Sequence, residues 1–458
     1  MYNSVKSKMR KLINPGGAGN FTELYRGSAI ALGIKLFGFL LGYIFSLLVA
    51  KTFGASLLGN FMIGITILSF LGLLSCFGME TGIVAYTARA KAVSDYPLIK
   101  KILTAVLIPS VFISLLLLIL AWIAINELNL YFGKLSPDSV IITNILLLVL
   151  PFYVAYRIMS NFFRGLKQIL IYSLLNYATT YITALILLII ALIAFNVTGA
   201  LLSATFAIAI AVSFFTAVIL LFRVTKNFPA GDIKGQITKS EIPVYSFPIL
   251  ISDLLKNGRN WMVVLLVGYL MTEKEVGVLG IALKLTFAPS LLINAVNSIA
   301  MPKFSEQFTL NNIDELKKTL AESARVIFWS SFPVLVGIFF FSSLILKFLG
   351  NEFEMDPVLI FTLVVGVFFE VISGSSAYFL QMVGKQKVNT YFLLLSSLLL
   401  LILLLILIPG YGITGAVISV TISFVIYSIS LVLYAKYAMG FSTYYFPFKA
   451  KLKSLLKI

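Results

Sequence analysis

RGSAIALGIKLFGFLLGYIFSLLVA, residues 26–50, decides how the rest of the chain is read. At a helical rise of roughly 1.5 Å per residue it extends about 37 Å, more than the ~30 Å hydrocarbon thickness of a bilayer. Its interior holds one ionisable residue, Lys35. Ser28, Ala31, Lys35, Gly38 and Gly42 share one helical face, and Leu, Ile and Phe fill most of the others. A lysine at mid-membrane costs ~2.5–3.5 kcal/mol even on the mildest insertion scale, so this face is expected to turn away from lipid. Counted from Arg26, Lys35 lies roughly 13 Å deep, too far to snorkel easily to the surface.

Composition extends that reading to the whole chain. Of 458 residues, 60% are apolar and only 12% charged, too little polar surface for a water-soluble protein of this size. An all-α polytopic membrane protein is expected. The single cysteine, Cys76, excludes an intrachain disulfide. The absence of histidine removes His-based acid–base work, the commonest metal ligand and His proton relays. There is no GxxxxGK[ST] loop, no HExxH and no stretch outside the apolar runs large enough for a catalytic domain. No enzymatic activity, catalytic residue, metal centre or bound cofactor is expected. The first 25 residues are polar and basic, and the apolar run after them is too long for a signal peptide's core.

Charge clusters and turn residues such as Ser136-Pro137-Asp138 and Pro409-Gly410 divide the chain into twelve expected transmembrane helices. They run over 26–50, 57–79, 98–125, 139–163, 169–195, 199–222, 244–270, 276–300, 325–349, 356–382, 388–408 and 411–436. With the N-terminus cytoplasmic, 26 of the 35 Lys and Arg residues fall on inside segments. Outside loops hold four: Lys51, Lys134, Lys274 and Lys347. That asymmetry predicts a multi-pass cell-membrane protein with both termini in the cytoplasm. The net charge of +17 then faces anionic inner-leaflet lipid, and no nucleic-acid partner is needed to explain it. The expected layout is a cytoplasmic segment over 1–25, an N-lobe over 26–222, a cytoplasmic linker over 223–243, a C-lobe over 244–436 and a basic amphipathic tail over 437–458.

The two lobes read as a repeat. Leu47-Leu48-Val49 returns as Leu265-Leu266-Val267, 218 positions on, and Lys167-Gln168 returns as Lys385-Gln386 at the same offset. That offset also pairs Ser28 with Ser246 and Gly59 with Gly277, and it sets Lys35 against Asp253. Six spans per half make the repeat parallel, about an axis along the membrane normal.

Five cations remain inside spans: Lys35, Arg157, Lys256, Arg259 and Lys284. Left in lipid they would cost on the order of 12–17 kcal/mol, so most are expected to meet water, one another or an anionic ligand. Arg157 lies near its span's inner end and is expected to snorkel. Asp253, Lys256, Asn257 and Asn260 follow i, i+3, i+4, i+7, a polar stripe on the seventh span; an Asp253–Lys256 pair could neutralise itself there. Glu370 shares a small-residue face with Gly366, Ser373 and Ala377. A desolvated carboxylate is a candidate for Na⁺ or proton binding; a salt bridge to Lys256, Arg259 or Lys284 is the plainer alternative. Tyr153, Tyr156, Tyr172, Tyr177 and Tyr181 could stack on sugar rings; Tyr172, Tyr177 and Tyr181 read rather as interface anchors, with Tyr153 and Tyr156 left as the stacking candidates.

The segments AKTFGASLLG (50–59), GMETGIVAY (78–86), FRGLKQ (163–168) and GKQKVNTY (384–391) carry a family resemblance. The chain resembles lipid-linked oligosaccharide flippases of the O-antigen or polysaccharide type. These belong to the multidrug/oligosaccharidyl-lipid/polysaccharide exporter superfamily. The resemblance implies two six-helix lobes around a central cavity that opens alternately to each side. It implies a cargo of polyprenyl-phosphate- or pyrophosphate-linked glycan, with glycan-synthesis enzymes as candidate partners beside the bilayer itself. The expected substrate-binding set is Lys35, Lys256, Arg259, Lys284, Asn257 and Asn260. Asp253 and Glu370 fall on the seventh and tenth spans, where some members carry coupling acids for Na⁺ or H⁺. The alternative within the superfamily is a cation-coupled multidrug exporter. Lys35 disfavours it, because drug extruders tend to carry an acid on the first span.

Overall fold

The computed structural model describes residues 20–132, 136–195, 198–226, 228–229 and 241–447. Of the expected cytoplasmic segment over 1–25, residues 1–19 lie outside the described residues, as do 227 and 230–240 of the expected linker and 448–458 of the expected tail. Most of the described chain is helical. In chain order the helices are α1 Asn20–Cys76, α2 Met79–Ala92, α3 Tyr96–Phe132, α4 Pro137–Leu148, α5 Leu150–Gly165 and α6 Ile169–Ser173. A π-helical turn, Leu174–Thr179, leads into α7 Thr180–Ala194 and then α8 Gly199–Thr225. Next come α9 Glu241–Leu270, α10 Glu273–Thr286, α11 Pro289–Thr309, α12 Ile313–Leu349, α13 Pro357–Ser373, α14 Ser376–Met382 and α15 Gln386–Leu433.

Six helices among the described residues are long and apolar enough to cross a membrane, or up to nine if each bent pair is one span. Two of the six are interrupted. α1 breaks at Gly54 (φ 80°) and α15 at Gly412 (φ 55°), and each contains two consecutive expected spans. Both breaks need a left-handed backbone that a side chain disfavours. The bent pairs are α4–α5 (46°), α10–α11 (43°) and α13–α14 (41°). Two of these bends stand just before Pro151 and Pro289, whose rings cannot donate to the preceding turn. α9, expected as the seventh span, is not among the nine, because Asp253, Lys256 and Arg259 crowd its middle.

The ends of several helices were legible. Ser136 caps α4 by accepting from the Ser139 amide, with Pro137 at the first position. Thr198 caps α8 and Asp356 caps α13 in the same way. Along α3, Ile108, Phe112, Leu116, Ile119 and Ile123 form an exposed apolar stripe, with Phe112 68% exposed. A stripe of that kind, with helices as the only backbone, is what a hydrocarbon solvent selects.

The helices gather into two compact units that the chain visits more than once. The first comprises the chain up to Val49 and Ile63–Leu254; the second comprises Ala50–Met62 and the chain from Leu255. In the first, Phe45, Phe162 and Phe163 are fully buried, and α5 packs against α2, α3 and α8. Lys91 at the end of α2 donates to the Leu166 carbonyl. Burial there, helped by Lys167, pushes its ammonium below the usual lysine range. In the second, Phe304, Phe328, Phe353 and Phe379 are buried and α13 lies along α15.

Inside the second unit the repeat takes physical form. A Cβ on Gly59 would overlap the Glu273 carbonyl, and one on Gly277 would overlap the Ala55 carbonyl. Gly59 and Gly277 are 218 positions apart, and so are Ala55 and Glu273. The contact is therefore reciprocal: each helix start presents its glycine to the backbone of its counterpart. Beside it, Glu352 accepts from the Ala55 amide at 3.0 Å and closes the helix that restarts after Gly54.

Candidate functional site

In the first unit, the small-residue face of α1 packs on the segment that contains the π-turn. A Cβ on Gly38 would collide with the Tyr177 carbonyl, and Gly42 lies against the Tyr181 ring. That approach sets Lys35, which is half-buried, over two aromatic rings. Its Nζ is 5.6 Å from the Tyr177 centroid and 5.9 Å from that of Phe39. The Tyr177 hydroxyl is 3.5 Å from that of Tyr172, and the Arg164 guanidinium lies 5.3 Å from the Tyr172 ring. The order is thus Lys35, Tyr177, Tyr172, Arg164, a cation at each end of two rings, and among the described residues no carboxylate pairs with either cation.

Arg157 behaves otherwise. The sequence suggested that it snorkels; instead its Nη2 pairs with Glu80 of α2 at 2.8 Å, and Nη1 donates to the Tyr153 hydroxyl at 2.8 Å. Gly72 makes room for the Tyr153 ring. The reason is the bend at Val149, which turns α5 so that Arg157 faces α2 across the strongest helix contact of this unit. Once a carboxylate is within reach, a paired charge in place costs less than a long side chain stretched toward the surface.

The second unit holds Arg259 and Glu370. Arg259 is buried, 6% exposed, with its guanidinium 4.3 Å from the Phe424 ring and 5.4 Å from that of Tyr427. Nη2 donates to Ser423 Oγ at 2.8 Å, and Nε is buried without a partner. Glu370 accepts from Ser290 Oγ at 3.1 Å and feels the charge of Arg259, yet it forms no ion pair with Arg259, Lys256 or Lys284. Around it, Tyr378 donates to Asn294 Oδ1 at 2.7 Å, and Asn294 Nδ2 to the Ser290 carbonyl.

The expected site residues are therefore distributed unequally. Lys35 lies in the first unit on aromatic rings; Asp253, half-buried, lies on the part of α9 that packs there. Lys256, Asn257 and Asn260 are exposed on the next turns of α9, and Lys284 is exposed on α10. Arg259, about 60° round α9 from Lys256, is buried in the second unit's core. Among the described residues, no group of three or more Cys, Asp or Glu stands close enough to hold a metal ion. Tyr172, Tyr177 and Arg164 were missed as a set. Their sequence spacing hides the association, because residues five apart fall on different faces of a regular helix.

Residues 63–356 match the family described as polysaccharide biosynthesis protein. The chain belongs to this family. A 205-residue segment is 22% identical to the probable low-salt glycan biosynthesis flippase Agl15 of Haloferax volcanii. It covers 44% of this chain and 43% of that protein, so the chain matches less than half the length of this curated relative. Among solved structures, an inward-facing multidrug resistance MATE family transporter of the MOP superfamily aligns with a TM-score of 0.73 at 15% identity, over 90% of this chain and 98% of that one. The lipid II flippase MurJ in an inward closed conformation aligns with a TM-score of 0.71 at 20% identity, over 92% and 89%. A MOP superfamily transporter from Pyrococcus furiosus, described as having a binding pocket of reverse polarity, aligns at 0.62 and 14% identity, over 90% and 94%. At these identities the likeness establishes a shared polytopic helical fold.

Proposed function

We propose that this protein flips an anionic lipid-linked oligosaccharide from the cytoplasmic to the outer leaflet, by alternating access of two six-helix lobes with twelve spans in all. The observation that carries this reading is the unbalanced positive charge on membrane-embedded helices. Lys35 rests on rings with no carboxylate partner, and Lys256 is exposed without one. Cations held this way suit the phosphate or pyrophosphate of a polyprenyl-linked glycan, with each charge-assisted hydrogen bond worth about 1.5–3 kcal/mol. Lys284, Asn257 and Asn260 would extend the polar lining. Arg259 would act on it from behind, because its guanidinium is already engaged with Ser423 and Phe424. Membership of the polysaccharide biosynthesis family and the likeness to Agl15 support the cargo class. The protein would sit in the cell membrane with both termini cytoplasmic, near the enzymes that build its glycan.

Reconstitution into vesicles tests the proposal. Lys35→Ala and Lys256→Ala should abolish movement of a fluorescent lipid-linked glycan while leaving insertion and folding intact. Transport that survives both substitutions refutes the reading.

Glu370 supports a second reading, cation-coupled multidrug export. It is a carboxylate without an ion pair, in a fold shared with MATE transporters. In the flippase reading, Glu370 and Asp253 would instead couple flipping to Na⁺ or H⁺. The membrane potential alone could also drive an anionic cargo outward, at ~2.3 kcal/mol per charge per 100 mV. Expression in cells lacking their drug pumps separates the two: unchanged resistance to cationic dyes favours the flippase, and a clear rise favours the exporter.

A further inference from the structure

The π-turn Leu174–Thr179 has a consequence for recognition. On a regular helix, Tyr172 and Tyr177 would point about 140° apart. A turn closed at i→i+5 is wider and swings the later residue back toward the earlier one. Here the Thr179 hydroxyl donates to the Leu174 carbonyl five residues before it, and the two tyrosines meet edge-to-face with centroids 6.1 Å apart. Gly38 then lets α1 reach the backbone of this turn, and Lys35 arrives over the Tyr177 ring. At the other end, exposed Arg164 covers Tyr172. Each ring thus shields one cation, and both cations lack carboxylate partners.

We propose that Tyr177 and Tyr172 are the sugar-binding platform of the transport site, with Lys35 and Arg164 parked on them at rest and withdrawn onto the cargo's phosphates when it enters. This rests on the transport reading above and deepens it. A cation–π contact is weaker than a charge-assisted hydrogen bond to phosphate. An arriving pyrophosphate therefore draws the lysine off its ring. The vacated ring face, apolar and flat, accepts the C–H face of a pyranose, while the paired tyrosine hydroxyls meet its hydroxyl groups. Arg164 lies at the end of α5 and Lys35 in the middle of an expected span, so the ladder forms a path with a cation at each end. Its ligand class is a lipid pyrophosphate bearing at least one pyranose.

The full-length protein in detergent, titrated with two short-chain probes, provides the test. One probe is farnesyl pyrophosphate, and the other is the same lipid carrying a pyrophosphate-linked N-acetylglucosamine. The wild type should bind the sugar-bearing probe about tenfold more tightly than the bare one. Tyr177→Leu should erase that preference and leave the bare probe within about threefold, and Tyr177→Phe should retain most of it. Lys35→Ala should weaken both probes alike by about tenfold. Arg164→Gln, at an exposed position, should also weaken both. A wild type that binds neither probe overturns the transport reading itself. A wild type that binds both probes equally, or a Tyr177→Leu protein that keeps the sugar preference, overturns the platform and leaves the transport reading standing.

Discussion

Arg157 and Arg259 pose the same problem in the two units, a guanidinium within packed membrane helices, and the units solve it differently. Arg157 is neutralised by Glu80 and steadied by Tyr153. Arg259 is covered by Phe424 and Tyr427, bonded to Ser423 and left short of a partner at Nε, while Glu370 stands nearby and unpaired. A closed pair has little left to give to a ligand or an ion. An arginine on rings beside an unpaired carboxylate is a polar network with spare capacity, and low dielectric makes such a network responsive to any added charge. The contrast is between a guanidinium whose charge is matched by a carboxylate and one held by rings and a hydroxyl.

Five variants break or sharpen this comparison, and thermal unfolding of the purified protein in detergent reads each. Glu80→Ala should have the largest effect, because it strands Arg157. Since these side chains are 24% and 14% exposed, the loss should fall toward the lower end of ~3–5 kcal/mol. Replacing Glu80 and Arg157 together with Leu should restore most of it; a double variant as unstable as the single would show that the pair is not the source. Ser423→Ala should cost about 1.5–3 kcal/mol, because Arg259 loses a hydrogen bond it cannot replace. Phe424→Leu keeps the bulk and removes the ring, for a loss of about 1–2 kcal/mol. Glu370→Gln should change stability by less than about 1 kcal/mol while removing any Na⁺ or pH dependence of transport. A large destabilisation there would mean that Glu370 is structural, as Glu80 is.

How much of this was legible depends on the range over which each feature is set. Helix starts at Ser136, Thr198 and Asp356 are local hydrogen-bond chemistry, and the turn read at Ser136-Pro137-Asp138 is one of them. The break at Gly54 falls between two expected spans and that at Gly412 just inside the start of the expected span 411–436, since glycine in an apolar run is a local signal too. The repeat was visible as an offset of 218, and the reciprocal glycine contact shows why Gly59 and Gly277 stay small. Arg157 was misread because its partner lies 77 residues away on another helix. Arg259 and Lys256 were both expected to bind substrate, but Arg259 lies further round α9, in a buried core rather than on the exposed stripe.

The sequence alone determined that this is a polytopic helical membrane protein with cations that lipid would not tolerate. Apolar content, helix length and the cost of desolvating charge act residue by residue, so they need no coordinates. Only the tertiary structure decided which cations are spoken for. Whether a charge meets Glu80, a tyrosine ring or neither depends on bends at Val149, a π-turn at 174–179 and the close approach at Gly38. Each of those is a long-range packing outcome that side-chain periodicity cannot encode.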